Sequence, residues 1–268
     1  MELKRLGIRR RGFTPMSQKY YLDFCNKRVV DDKNTLDWLI AKNLILSGKV
    51  VQGLLHNEMK VVIKIGTDKS NIDKEYDISK QLSVFSGFVK YICKFSCKDD
   101  LRKYREEWRP NIGICEPDGP DKTNSIIMSF YPLGSMLRYT WTIQNFDVFK
   151  NLLKSAVKTL LFANEQIGFV HSDFHLDNLL LKETKNGLKV DIIDFELTEI
   201  NDNNKNNKKK IGQDFKKLFF DLGKVDGITA QSISYCLIFS DRLRDPFESV
   251  DVNNVFTLID DLVFVNYN

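Results

Sequence analysis

The most constraining stretch of this chain is His171-Ser172-Asp173-Phe174-His175-Leu176-Asp177-Asn178, followed shortly by Asp191-Ile192-Ile193-Asp194-Phe195-Glu196. An aspartate can accept a hydroxyl proton, and an asparagine with a second aspartate offers the hard oxygen donors that Mg²⁺ takes. The stretch therefore holds a candidate base, Asp173, two candidate magnesium ligands, Asn178 and Asp194, and a second basic group, His175.

The flanks limit the fold that can present these groups. Phe146 to Gly168 carries apolar residues at Phe146, Phe149, Leu152, Leu153, Ala156, Val157, Leu160, Leu161 and Ala163. Spacings of three and four predict a helix with one buried stripe, ended by Gly168. After the loop, Asn178 to Lys182 and Val190 to Asp194 are short apolar runs around Thr184-Lys185-Asn186-Gly187, and Asn-Gly between such runs predicts a hairpin. The order is helix, polar loop, hairpin, acidic residue.

Composition removes several alternatives. Across 268 residues the hydrophobic content is 43%, enough for a real core in one domain or two lobes. Lys and Arg number 40 against 36 Asp and Glu, so the net charge of +4 does not point to nucleic acid. Cys25, Cys93, Cys97, Cys115 and Cys236 are an odd, scattered set, which argues against a disulfide framework and for a reducing compartment. With three histidines, two of them in the loop, a closed zinc site would lack ligands. No run approaches the roughly 20 apolar residues of a membrane span, and no apolar leader follows the basic stretch Met1 to Gly12. The expectation is a soluble, cytoplasmic protein.

Upstream, residues 1–33 read as a basic N-terminal extension. From Asn43 to Ile65 the pattern predicts a three-stranded antiparallel meander with turns at Ser47-Gly48-Lys49 and His56-Asn57-Glu58. Gly48 would then sit where a loop can cover phosphates, and Lys64 would lie on the third strand. Asn71 to Val84 is amphipathic and carries Glu75, placed to come under that strand as a carboxylate partner for Lys64. Residues 88–97 predict another strand, 97–124 a long insertion broken by Trp108, Pro110, Pro117, Gly119 and Pro120, and 125–130 a fifth strand. Tyr131-Pro132-Leu133-Gly134-Ser135 reads as a connector, giving lobes 34–130 and 131–268.

Taken together, Val61-Val62-Ile63-Lys64, Glu75, H-x-D-x-x-x-x-N and Asp194-Phe195 resemble the protein-kinase-like superfamily over about residues 43–222. The resemblance implies an α+β bilobal fold, with an antiparallel sheet in the small lobe and a reduced, mainly helical large lobe. It implies ATP and Mg²⁺ as cofactors. Lys64 matches the phosphate-binding lysine, Glu75 its helix partner, and Met128, Ser129 and Phe130 the segment entering the nucleotide hinge. Asp173 matches the catalytic base, Asn178 and Asp194 the metal ligands, His171 the histidine that orders the loop, and Asp214 the acidic residue beneath it.

The chain also departs from the usual pattern. His175 stands where typical protein kinases have lysine, as is common in aminoglycoside and choline phosphotransferases and in several minimal or viral kinases. Glu196 replaces the glycine after Asp-Phe, which disfavours the backbone flip that switches many regulated kinases off. The run Asn201 to Lys210 predicts a flexible polar loop, and no A-P-E element follows Asp194. A Ser/Thr protein kinase of minimal type is the leading expectation. A small-molecule kinase acting on an amino alcohol or aminoglycoside is the alternative, for which Asp241, Asp245, Glu248 and Asp251 offer carboxylates, and a pseudokinase binding module is the third.

Overall fold

The structure, a computed structural model, describes residues 39–47, 50–55, 59–66, 68–99, 112–113, 120–200, 204–242 and 252–265. The extension 1–33, Gly48, Asp245, Glu248 and Asp251 lie outside them, as does the side chain of Asp241.

The meander forms as β1 (Leu39–Ser47), β2 (Val50–Leu55) and β3 (Met59–Gly66). Helix α1 (Lys69–Leu82) follows, capped by Asp68, whose carboxylate accepts the Ser70 N–H at 2.8 Å. Next come β4 (Tyr91–Asp99), the two-residue β5 (Ile112–Gly113) and β6 (Asp121–Ser129). The six strands make one antiparallel sheet in the order β4-β6-β3-β2-β1-β5. The chain departs from the expected insertion 97–124 at both of its ends. Residues read as the ends of an insertion are paired strand, with Lys98 opposite Lys122 and Asp99 opposite Asp121, because β4 and β6 continue their ladder past the apolar segment that marks them in sequence.

Ile72 and Tyr76 on α1 pack with Val62, Ile126 and Met128 on one face of this sheet and with Val89 just before β4. Glu75 falls within that buried stripe and is only 1% exposed. A carboxylate in such a place requires a partner, and the partner defines the site below.

The large lobe is built on α2 (Phe146–Ile167), whose predicted apolar positions are buried in the main core except Leu161, which packs half-buried against it. Gly168 ends it in the left-handed conformation, φ 65°, with its N–H bonded to the Ala163 and Asn164 carbonyls. Then follow β7 (Phe169–Val170), a 3-10 turn (Leu176–Asn178), and the hairpin of β8 (Leu179–Thr184) and β9 (Gly187–Ile192). Strand β10 (Glu199–Ile200) pairs antiparallel with β7. The chain continues as α3 (Asn204–Leu222), α4 (Ala230–Arg242) and α5 (Val252–Asp260).

Helix α3 corrects a second expectation, since it begins inside the Asn/Lys run read as a flexible loop. Downstream, Ile211, Asp214, Phe215, Leu218, Phe219 and Leu222 are buried, so the helix is anchored by packing that outweighs weak asparagine propensity. The cysteines give a third. Cys93 and Cys236 are buried thiols, but Cys97 on β4 is disulfide-bonded. Scattered spacing did not show this, because cysteine pairing depends on Cα separations that only the folded chain sets. Among the described residues, no helix is long and apolar enough to cross a membrane.

Candidate active site

Strand alternation sends the Lys64 side chain toward α1, and its Nζ lies 2.8 Å from Glu75 Oε2. The same ammonium is 2.8 Å from Asp194 Oδ1 and 3.2 Å from Glu196 Oε2, so three carboxylates surround one cation. Burial opposes the Lys64 charge, but Glu75 and Asp194 outweigh it and raise the ammonium above its ordinary value. Burial pushes the Glu75 carboxyl up, against the pull of Lys64 and of the Tyr91 hydroxyl, which donates to Oε1 at 2.6 Å.

Asp194 reaches Lys64 because of how Phe195 is held. Phe195 is fully buried and stacks on Tyr91 at 5.5 Å, with Phe88, Phe169 and His171 edge-on around it. Asp194 takes φ 65°, a conformation that costs a non-glycine residue of order 1 kcal/mol and persists when its surroundings hold it. Glu196 is not among the positive-φ residues.

The loop bearing Asp173 is fixed from beneath. Buried His171 uses its backbone N–H to donate to Asp214 Oδ2 at 3.0 Å. On its ring, Nδ1 accepts the Asp173 N–H at 3.3 Å, so Nε2 carries the proton and donates to the Ile193 carbonyl at 2.8 Å. Burial drives His171 down to about 4, against the pull of the Ile193 carbonyl and Asp194, so the ring is neutral at pH 7. Burial drives the Asp214 carboxyl the other way, up to about 7, against the His171 peptide N–H. Ser172, between His171 and Asp173, is held at φ 66°.

Around Asp173 the groups interlock. Asn178 Nδ2 donates to the Asp173 carbonyl at 3.0 Å and lies 3.2 Å from His175 Nε2, which leaves the amide oxygen for another partner. His175 Nε2 is 3.3 Å from Asp173 Oδ2, while Nδ1 stands 3.6 Å from Asp221 Oδ2 and makes no hydrogen bond among the described residues. Lys217 on α3 donates to Asp173 Oδ1 at 2.8 Å and to the Ser172 carbonyl at 2.6 Å. Burial tends to raise Asp173, but Lys217 and His175 outweigh it and hold the carboxyl below its ordinary value.

A cavity of about 260 Å³ opens between the sheet and this loop. Lys64, Glu75, Asn178 and Asp194 border its polar end, and Val50, Val62, Met128, Leu180 and Ile193 its apolar body. Of the expected hinge residues, Met128 and Phe130 line it. Ser129 does not, because it alternates to the opposite side of β6, where it borders a neighbouring pocket with Lys90 and Asp191. Asp173 and His175 also stand outside the lining, at the loop beside it.

Three contributors have no role in the sequence reading, Tyr91, Lys217 and Asp221, and neither does the 2.5 Å hydrogen bond that the Tyr131 hydroxyl donates to Asp191 Oδ2. A signal existed for two of them. Asp214, Lys217 and Asp221 recur at i, i+3 and i+7, one face of a helix, beside an apolar stripe.

A sheet lobe with a lysine–glutamate pair, joined to a helical lobe whose catalytic-type loop faces it across a cleft, defines the protein-kinase-like fold. Within that superfamily, residues 11–220 match the model for the Haspin like kinase domain, and the chain belongs to that family. No curated protein matches the sequence.

Proposed function

We propose that the chain is an ATP- and Mg²⁺-dependent phosphotransferase that moves the γ-phosphoryl group to a hydroxyl, acting as a minimal Ser/Thr protein kinase. The observation that carries this reading is convergence: Lys64, Glu75, Asn178 and Asp194, from four separate elements, meet at one end of a cavity beside Asp173.

The apolar body of the cavity suits a purine ring and its polar end suits phosphates. Lys64, kept charged by Glu75, binds the α- and β-phosphates. Asn178 and Asp194 present only oxygen donors toward the cleft, a set that fits Mg²⁺, and they are the residues that would hold it. Mg²⁺ bound there supplies positive charge against the phosphate oxygens. Asp173 orients the acceptor hydroxyl and takes its proton. Its depressed basicity makes orientation the larger part of its contribution, as suits a transfer in which the nucleophile needs little activation.

The acceptor class is supported by the family and by Lys217. An ammonium on Asp173 removes the net negative charge that a cationic amino alcohol or aminoglycoside would seek there. Mass spectrometry of products after incubating the protein with Mg-ATP, a peptide pool and a panel of small hydroxyl compounds tests this. Phosphoserine or phosphothreonine peptides are expected. A phosphorylated amino alcohol or aminoglycoside with unmodified peptides contradicts the acceptor class, and ATP binding without any product contradicts enzymatic activity.

A further inference from the structure

We propose that Lys217, reaching the cleft from α3, takes the place in the transfer step of the lysine that the catalytic loop lacks: it steadies the Asp173 carboxylate and faces the γ-phosphoryl group as it passes. This inference rests on the phosphotransferase reading above.

Position 175, where a loop lysine stands in typical protein kinases, is a histidine here, and its Nε2 lies beside Asp173 and Asn178 of the loop while Nδ1 stands 3.6 Å from Asp221 of α3. The ammonium 2.8 Å from Asp173 Oδ1 comes instead from 44 residues downstream. Helix α3 puts Asp214, Lys217 and Asp221 on one face against the loop. Asp214 accepts the His171 N–H and Asp221 accepts the Leu176 N–H at 3.1 Å, so both cap buried backbone. Lys217 alone on that face reaches the carboxylate that meets substrate. Its side chain is 45% exposed, whereas Asp214 and Asp221 are buried. A cation kept only to clamp the loop gains nothing from that openness, whereas one that meets an incoming anion requires it.

The step places the charge where it acts. The acceptor oxygen forms a bond to phosphorus as the bond from phosphorus to the leaving diphosphate oxygen breaks. The hydroxyl proton passes to Asp173 and the electron pair leaves with the diphosphate, while Lys217 keeps its proton. An acceptor hydroxyl within hydrogen-bond reach of Asp173 brings the transferred group close to an ammonium already bound to that carboxylate. Lysine acts there as a point charge, favouring the oxygens of the group in flight.

The test compares wild type, Lys217→Met and Lys217→Arg for steady-state transfer from Mg-ATP to the peptide pool and to the protein itself. Binding of a fluorescent ATP analogue and thermal melting are measured alongside. Lys217→Met should lower kcat by about 10²–10³-fold, with analogue affinity and melting temperature close to wild type, and Lys217→Arg should recover much of the loss. A Met variant with wild-type kcat overturns the inference. A loss that arginine does not restore, accompanied by weaker nucleotide binding and a lower melting temperature, marks loop packing and also overturns it. A wild type that binds nucleotide but transfers nothing overturns the reading and the inference together, whereas an active wild type leaves the Lys217 result to stand or fall alone.

Discussion

Lys64 and Glu75 meet at 2.8 Å, from a strand and a helix 11 residues apart, with the glutamate buried. The pair joins α1 to the sheet, and through Asp194 the same ammonium joins the small lobe to the segment that follows β9 in the large lobe. One cation thus serves both the proposed nucleotide site and the alignment of the lobes.

Removing that cation exposes both roles. Lys64→Met should lower transfer by at least about 10²-fold. It should also cost about 3 kcal/mol in urea unfolding, because Glu75 is left buried without its counter-ion. Glu75→Gln, which keeps an acceptor for Tyr91, should cost less in both measurements.

Tyr91 supports Glu75 from the far side and stacks on Phe195. Tyr91→Phe keeps the ring and removes only the hydroxyl. Chemical denaturation should show a loss of about 1.5–3 kcal/mol, the usual worth of a hydrogen bond to a charged group.

His171 and Asp214 give stability an unusual pH dependence. His171 falls to about 4 in the fold, so its contribution is complete above its ordinary value of 6.5 and is lost as pH falls through 4. Asp214 rises to about 7 from 3.8, so its contribution is complete below 3.8 and is lost as pH rises through 7. Between pH 4 and 6.5 the two oppose each other. In Asp214→Asn only the histidine remains, and unfolding measured across that window should show stability rising with pH more steeply than in wild type.

Gly227 lies at φ 93°, and a Cβ there would come 2.5 Å from the Phe264 ring. Gly227→Ala combines backbone strain with overpacking. It should destabilise the large lobe by about 1–3 kcal/mol, seen as a lower melting temperature.

Much of this was legible in the chain because it is local. The apolar period of Phe146 to Ala163 and the Asn186-Gly187 turn specify α2 and the β8–β9 hairpin, and both elements form where periodicity and turn chemistry place them. The spacing of Asp173, Asn178 and Asp194 encodes their convergence, because a 3-10 turn and a hairpin of fixed length carry it. Tyr91 was not legible, and Lys217 and Asp221 showed only as a polar face of one helix, since each reaches the site from an element whose docking angle depends on the whole core. The paired ends of β4 and β6 and the early start of α3 were missed for a related reason. In both, tertiary packing extends an element into polar sequence whose composition reads as loop.

The role proposed for Asp173 is to assist phosphoryl transfer. The direct measurement is transfer of labelled phosphate from Mg-ATP to the peptide pool by wild type and Asp173→Asn, with melting curves to show that both fold. Wild type should label the acceptor, and the asparagine variant should lose activity by about 10²–10⁴-fold while still binding nucleotide. Transfer by Asp173→Asn at the wild-type rate would contradict the account.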